Sequence, residues 1–192
     1  MQKLCAIWLI MLLLVSQAWG ATSLQYTLPG SAIVFADTGG TYTIVFSNKA
    51  NGTGAVSAQA DKNSLATATG AMPSLWAGHC QLSFSTGPTM GVTGAEYYIA
   101  HALSDGTGQD GGVGTSSTTI TTDQRRALTP IGTLPVYNTT ANTTMTVSFR
   151  NIYIPGRYFS VAWWNTSGQT TETSSVKHRC VFYPMSIQGQ GS

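Results

Sequence analysis

Short stretches in which apolar and polar side chains alternate recur along this chain, and clusters of Gly, Pro, Asn and Ser separate them. Residues 40–48 show the pattern well, because Tyr42, Ile44 and Phe46 fall on one face of an extended chain. An alternation with period two indicates β-strands that bury one face. Two other stretches alternate in the same way, and four more are candidate strands: 79–85 and 144–150, then 31–36, 96–103, 156–164 and 178–183.

The fold class follows from these strands. After residue 20, no window longer than ten residues keeps a helical period. Charged residues are sparse, at 8%, but aromatic residues make up 10%, and a chain with that many aromatic side chains can build a packed core. Many short strands separated by turns are typical of a β-sandwich. We therefore expect an all-β chain in which residues 21–192 form a single antiparallel, jelly-roll-like β-sandwich.

The first twenty residues have the layout of a secretory signal peptide. Lys3 is followed by an apolar run over residues 6–15, and small residues occupy positions 18 and 20. This pattern predicts cleavage after Gly20 and an exported or extracellular protein. An uncleaved apolar segment is the alternative, although the run is shorter than the roughly 20 residues that span a bilayer. No later stretch is apolar enough to span, so the mature chain is expected to lack a stable membrane span.

The cysteines support the same compartment. Cys5 lies in the predicted signal peptide, which leaves Cys80 and Cys180 in the mature chain. The alternation places both on inward faces, Cys80 beside Leu82 and Cys180 beside Phe182. An even number of cysteines in an exported chain favours a disulfide.

Charge and motifs exclude several classes of function. The chain has nine Lys and Arg and seven Asp and Glu, and Arg125-Arg126 is its largest basic cluster. This charge distribution does not indicate a nucleic-acid-binding surface. The sequence has no nucleophile elbow, zinc-protease motif or Cys-x-x-Cys pair. His101 is expected to be half-buried, and His79 and His178 to lie at the surface. We therefore expect no catalytic residues, no cofactor and no enzymatic activity.

Residues 103–112, LSDGTGQDGG, contain a match to the glycine pattern of dinucleotide-binding loops. That reading needs a helix after the loop, and the β-branched, Gly-rich stretch that follows cannot supply one. The spacing also fails as an EF-hand, because Asp110 stands where the turn needs Gly. A calcium ion held by Asp105 and Asp110 is the remaining metal candidate. The favoured interpretation is a mobile surface loop between strands.

The order of features from about Gly54 onward resembles a group of small β-sandwich structural proteins from the virions of tailed bacteriophages. A loop with two Asp-Gly pairs, a Gly-containing strand and a closing Pro-Gly-aromatic hairpin carry the resemblance. The matching positions are Asp105, Gly106, Thr107, Asp110, Gly111, Gly132, Pro155, Gly156, Tyr158, Phe159, Asn165, Ser167 and Gly168. The resemblance implies a virion decoration or appendage subunit that acts by contact with copies of itself or with other virion proteins.

An exported glycan-binding or adhesive β-sandwich is the alternative function. Along residues 156–164, Phe159, Val161 and Trp163 are expected to point inward. Tyr158 and Trp164 then point outward, where they could contact a partner or stack on sugar rings. These two side chains are the predicted ligand or partner contacts.

Overall fold

Two β-sheets pack face to face, as the alternation predicts. The computed structural model describes residues 25–27, 32–62, 74–104, 107–113 and 116–188. The predicted signal peptide and Asp105 lie outside these residues. The described residues form thirteen strands: β1 (Gln25–Thr27), β2 (Ile33–Ala36), β3 (Tyr42–Thr43), β4 (Gly54–Val56), β5 (Ala60–Asp61), β6 (Leu75–Leu82), β7 (Thr93–Ser104), β8 (Thr107–Gln109), β9 (Thr118–Ile120), β10 (Thr129–Pro135), β11 (Met145–Tyr153), β12 (Tyr158–Asn165) and β13 (Arg179–Gln188).

The strand order places two edge strands where a binding site can form. The first sheet runs β11-β6-β13-β2-β3, and the second runs β10-β7-β12-β4-β9, with β5 paired to β12 and β8 paired to β7. The pairs are antiparallel except β2 with β3. β11 is therefore an edge strand of the first sheet, and β10 is an edge strand of the second sheet. The predicted fold class, an antiparallel β-sandwich, is confirmed.

The chain divides into two compact units. The main unit comprises residues 28–185, and the other unit joins the two chain termini, 1–27 and 186–192. In the terminal unit, β1 pairs antiparallel with residues 186–188 of β13. The prediction of one domain over 21–192 stays a prediction.

The main core lies between the two sheets and is built from the apolar side chains that the alternation places on the inward faces of the strands. Ile44 and Phe46 are fully buried there, although regular pairing of β3 ends at Thr43. Trp163 packs on Phe46 with the ring centroids 5.2 Å apart. Fully burying one such side chain contributes about 1.5–3 kcal/mol, so inward aromatics on both sheets hold the layers together.

Cys80 and Cys180 form the predicted disulfide. They are directly opposite each other on the adjacent strands β6 and β13, with a Cα–Cα distance of 4.1 Å. Neither side chain is exposed. The bridge joins positions 100 residues apart in the sequence, so it ties β6 to β13 within one sheet.

The segment interpreted as a surface loop after β7 is partly a strand, and that interpretation needs correction. β8 pairs with β7 through Ala102–Gln109 and Ser104–Thr107. A 3-10 turn over Asp110–Gly112 follows, in which Gly111 has a φ of +69° and a Cβ would lie 2.7 Å from the Gln124 carbonyl oxygen. Glycine at position 111 permits this close approach.

One α-helix, α1 (Thr122–Arg126), is present in the described residues, and the search for helical periodicity missed it because it is five residues long. Thr121 and Gln124 form a reciprocal capping box at its start, with each side chain bonded to the other residue's backbone N–H. The spacing Thr-x-x-Gln could have revealed it. No helix in the described part of the chain is long and apolar enough to cross a membrane.

Candidate functional site

Trp164 is buried, with 7% of its surface exposed, so the expectation of an exposed ring was wrong. The strand parity was correct, because Trp163 packs in the main core and Trp164 lies on the opposite face of β12. A second, smaller apolar cluster covers that face. Its buried members are Val56, Ala100, Val113, Ile120, Leu128, Ala162 and Trp164.

Helix α1 explains why Trp164 is covered. The Arg125 guanidinium lies 4.8 Å from the centre of the Trp164 ring. Arg125 also forms an ion pair with Glu96 at 3.0 Å, and Glu96 accepts a hydrogen bond from the Tyr98 hydroxyl. Burial, followed by this hydrogen bond, raises the pKa of Tyr98 to about 12. These contacts hold α1 over the outer face of the second sheet and leave no free face of the Trp164 ring for a ligand.

Tyr158 remains half-buried on the same strand, but it does not form one site with Trp164. The two residues are six positions apart, which is about 20 Å along a strand. The Arg157 guanidinium lies 4.9 Å from the centre of the Tyr158 ring and is held by two hydrogen bonds to Asp61, at 2.9 and 2.8 Å. Contact of Tyr158 with a partner stays a prediction.

The calcium candidate rests on one described residue. The Asp110 carboxylate accepts a hydrogen bond from the His101 backbone N–H at 3.1 Å, so it has a structural role that joins the 3-10 turn to β7. In the described part of the chain, no group of three or more His, Cys, Asp or Glu side chains is placed to hold a metal ion.

A groove of about 460 Å³ lies on the side of the sandwich closed by the edge strands β10 and β11. We call it the edge groove. Its described lining comes from β7, from β10, from the end of β11 and from the segment that follows β11: His101, Thr129, Pro130, Ile131, Arg150, Asn151, Ile152, Tyr153 and Pro155. Neither of the predicted contact residues lines it.

A β-bulge in β11 shapes one wall of the edge groove. Phe149 pairs with Gly78 and Ile152 with Trp76, so Arg150 and Asn151 together oppose one residue of β6. Asn151 has a φ of +57°, a left-handed conformation that Asn tolerates better than most residues. Such a bulge turns side chains away from the regular alternation, and here it presents two polar side chains at the edge of the sheet.

A second bulge, in β10, shapes the facing wall. The pairing with β7 shifts between Pro130 and Gly132, which leaves Ile131 as the extra residue. The Phe149 ring of β11 lies against Gly132, where a Cβ would be 2.6 Å from the ring. The missing side chain therefore lets the two edge strands approach closely, and the groove opens where the bulges separate them.

His101 lies at the point where β7 passes from one partner strand to the next. β10 pairs with β7 as far as Ile99, and β8 begins to pair at Ala102. Within the described residues, the buried Nδ1 atom of His101 has no hydrogen-bond partner. Burial lowers the pKa of His101; the Asp110 carboxylate opposes this shift and Lys62 adds to it. The neutral imidazole is therefore favoured, and its unpaired nitrogen is buried within the protein.

The edge groove combines three kinds of contact. Tyr153 is 61% exposed and offers a ring face, Arg150 and Asn151 offer exposed hydrogen-bond donors, and Ile152 gives an apolar floor. Sequence reasoning missed Arg150, Asn151 and Tyr153. A signal was present, because the alternation that runs through residues 144–149 breaks at two successive polar residues before Ile152, which is typical of a bulge.

Neither a protein-family model nor a curated protein matches this chain. Among solved structures similar to it, Eiger TNF from S. frugiperda is 6% identical over 63% of this chain and 65% of that chain, with a TM-score of 0.30. The carbohydrate-binding module TmCBM61, solved in complex with β-1,4-galactotriose, is 7% identical over 83% of this chain and 88% of that chain, with a TM-score of 0.21. The chain thus spans less than two thirds of the Eiger TNF chain. At these TM-scores neither likeness bears on function.

A buried polar cluster brings together residues that are distant in sequence, and it corrects the expectation that His178 lies at the surface. His178 is fully buried, with its Nε2 atom 3.0 Å from the Ser83 hydroxyl and its Nδ1 atom 3.6 Å from the Asp37 carboxylate. Ser83 donates its hydroxyl proton to Glu172 at 2.7 Å. Lys177 is ion-paired with Glu172 at 2.9 Å.

The cluster resembles a Ser-His-Asp triad in composition but not in proton arrangement. The single Ser83 proton points to Glu172, so Ser83 accepts a hydrogen bond from His178 Nε2 instead of donating to it. A general base needs a free lone pair on that nitrogen. The Ser83 side chain is also fully buried, out of reach of a substrate. The arrangement fits a structural role, because it pairs the buried Ser83 hydroxyl with Glu172 and His178.

Glu172 makes the stability of the fold depend on pH in the acidic range. Burial raises the pKa of its carboxyl, but the hydrogen bonds from Ser83 and Lys177 and the charges of Lys177 and His178 together hold that pKa below its usual range. A depressed folded-state pKa stabilises the fold above the unfolded value of about 4.3, and this contribution is lost as pH falls through the folded pKa. We expect the melting temperature of Glu172→Gln to fall less steeply than that of the wild type below about pH 4. Parallel melting curves for the two proteins would contradict this role.

Proposed function

We propose that this protein is a non-enzymatic binding protein that holds a polysaccharide in the edge groove. The observation that carries the proposal is the exposed Tyr153 ring, which lines the edge groove together with Arg150 and Asn151. Aromatic faces pack against the apolar C–H faces of sugar rings, and nearby polar side chains then bond the hydroxyl groups. An open groove between ordered strands suits an extended chain of sugars.

A peptide strand is a poorer occupant of the same groove. Strand addition needs a regular row of backbone N–H and C=O groups at the sheet edge. β10 contains Pro130 and Pro135, which have no N–H to donate, and both edge strands are interrupted by bulges. These features favour recognition through side chains, which is how a saccharide would be bound.

Replacing Tyr153 by Ala is expected to weaken retention on a bound polysaccharide at least about tenfold, or about 1.4 kcal/mol, because the stacking surface is lost. Affinity electrophoresis across a panel of polysaccharides would measure the change. Tyr183→Ala is the matched control, since Tyr183 is 37% exposed on the same sheet and does not line the groove. Equal losses in both variants, or no retention of the wild type, would contradict the proposal.

The second candidate is a virion decoration or appendage subunit that self-associates, as the phage resemblance implies. The observation that favours it is the outer face of the first sheet, where Leu75 lies beside Met185, and Val181 and Tyr183 are also partly exposed. Apolar side chains on an open sheet face suit burial against another copy. Sedimentation at rising protein concentration tests it, and a monomer at every concentration would contradict it.

Export is part of the first proposal, whereas the second places the protein in a virion. The disulfide between Cys80 and Cys180 fits an oxidising compartment, where such bonds persist. Removal of residues 1–20 as a signal peptide would leave Ala21 as the first residue, which intact-mass measurement of the secreted protein can establish.

A further inference from the structure

Arg150 is the one permanently charged residue in the described lining of the edge groove. Its described lining residues include Arg150 and His101 but no Asp or Glu. Behind His101, the positive charge of Lys62 and the negative charge of the Asp110 carboxylate oppose each other. The positive charge in the groove therefore comes from Arg150, which a neutral saccharide does not require and which would repel a cationic ligand.

Arg150 also differs from most other arginines of the chain. In the described residues, Arg125, Arg126 and Arg157 each form an ion pair with a carboxylate. Arg150 and Arg179 are both exposed and form no ion pair there. Arg150 lies in the β11 bulge at the groove, whereas Arg179 lies on β13 opposite Gln81, at the other end of the same sheet. One unpaired guanidinium group therefore faces the groove and the other is distant from it.

Resting on the proposed function, we propose that the edge groove selects an anionic polysaccharide, with Arg150 binding its carboxylate or sulfate group and Tyr153 stacking on the sugar ring. The planar guanidinium group can donate two parallel hydrogen bonds to either anion. Arg150 in the bulge and the exposed Tyr153 ring line the same groove three positions apart on β11, so both contacts can be made to one or two neighbouring sugars.

The experiment compares matched probes on the full secreted protein. Polygalacturonate and its methyl ester differ in the carboxylate charge, and dextran sulfate and dextran differ in the sulfate. We expect tight retention on at least one charged polymer and little on its neutral counterpart. Arg150→Gln should weaken that retention roughly tenfold or more, and Arg179→Gln by less than about twofold, because only Arg150 contacts the ligand. Both substitutions are at exposed positions, so unchanged melting temperatures will show that the fold is intact.

Each outcome is informative. Retention on the carboxylate polymer alone, the sulfate polymer alone or both supports the inference and identifies the anion. If charged and neutral polymers are retained equally and Tyr153→Ala abolishes this retention, the polysaccharide site is supported. Its selectivity for anionic polymers is then overturned. Equal losses in the two arginine variants would show that nonspecific attraction dominates and would overturn the role of Arg150. No retention on any polymer would overturn both the inference and the proposed function.

Discussion

Replacing Cys80 and Cys180 together by Ala is expected to lower the free energy of unfolding by about 4–5 kcal/mol, the largest effect we expect from a change at a single site. The bridge closes a loop of 100 residues, and in the chain-entropy model a loop of that length is worth this amount. Both side chains are also fully buried, so the smaller Ala side chains leave space in the core. Urea unfolding monitored by tryptophan fluorescence measures the change.

The reduced wild-type protein is the matched control for this double variant. It retains both sulfur atoms in the core and loses only the covalent constraint, so its stability should fall nearly as far as that of the variant. A loss of less than about 1.5 kcal/mol in both proteins would show that the pairing of β6 with β13 does not depend on the bridge.

Trp164→Ala is expected to destabilise the fold by about 3–5 kcal/mol without altering retention on a polysaccharide. The Trp164 ring fills the second apolar cluster and lies beneath the Arg125 guanidinium, so its removal leaves a cavity and releases α1 from the sheet. Thermal unfolding measures the first effect. Affinity electrophoresis at a temperature where the variant is folded measures the second.

Tyr158→Ala on the same strand is the control for Trp164→Ala. Tyr158 is half-buried and does not belong to the second cluster, so we expect a smaller loss of about 1 kcal/mol. If a folded Trp164→Ala protein loses polysaccharide retention, β12 contributes to the ligand site. That result would contradict the assignment of the site to the edge groove.

The alternation of side chains determined much of the fold before any tertiary information. It placed Ile44, Phe46 and Trp163 in the core and both cysteines on inward faces, because burial of one face is a local property of an extended chain. It missed β10, since Pro130 and Pro135 interrupt the strand pattern and are tolerated only because β10 is an edge strand.

The sequence by itself determined that the chain is a β-sandwich, which faces its strands bury and that two inward cysteines are available to pair. Only the tertiary structure decided what covers each outer face and which distant residues meet. The alternation along β12 predicted which face of the strand Trp164 lies on. Helix α1, which ends 38 positions earlier in the chain, buries that side chain. The edge groove likewise needs β7, β10 and β11 to converge and two bulges to redirect their side chains. A period of two specifies which side of a strand a residue occupies, whereas exposure and shared sites depend on contacts between segments far apart in sequence.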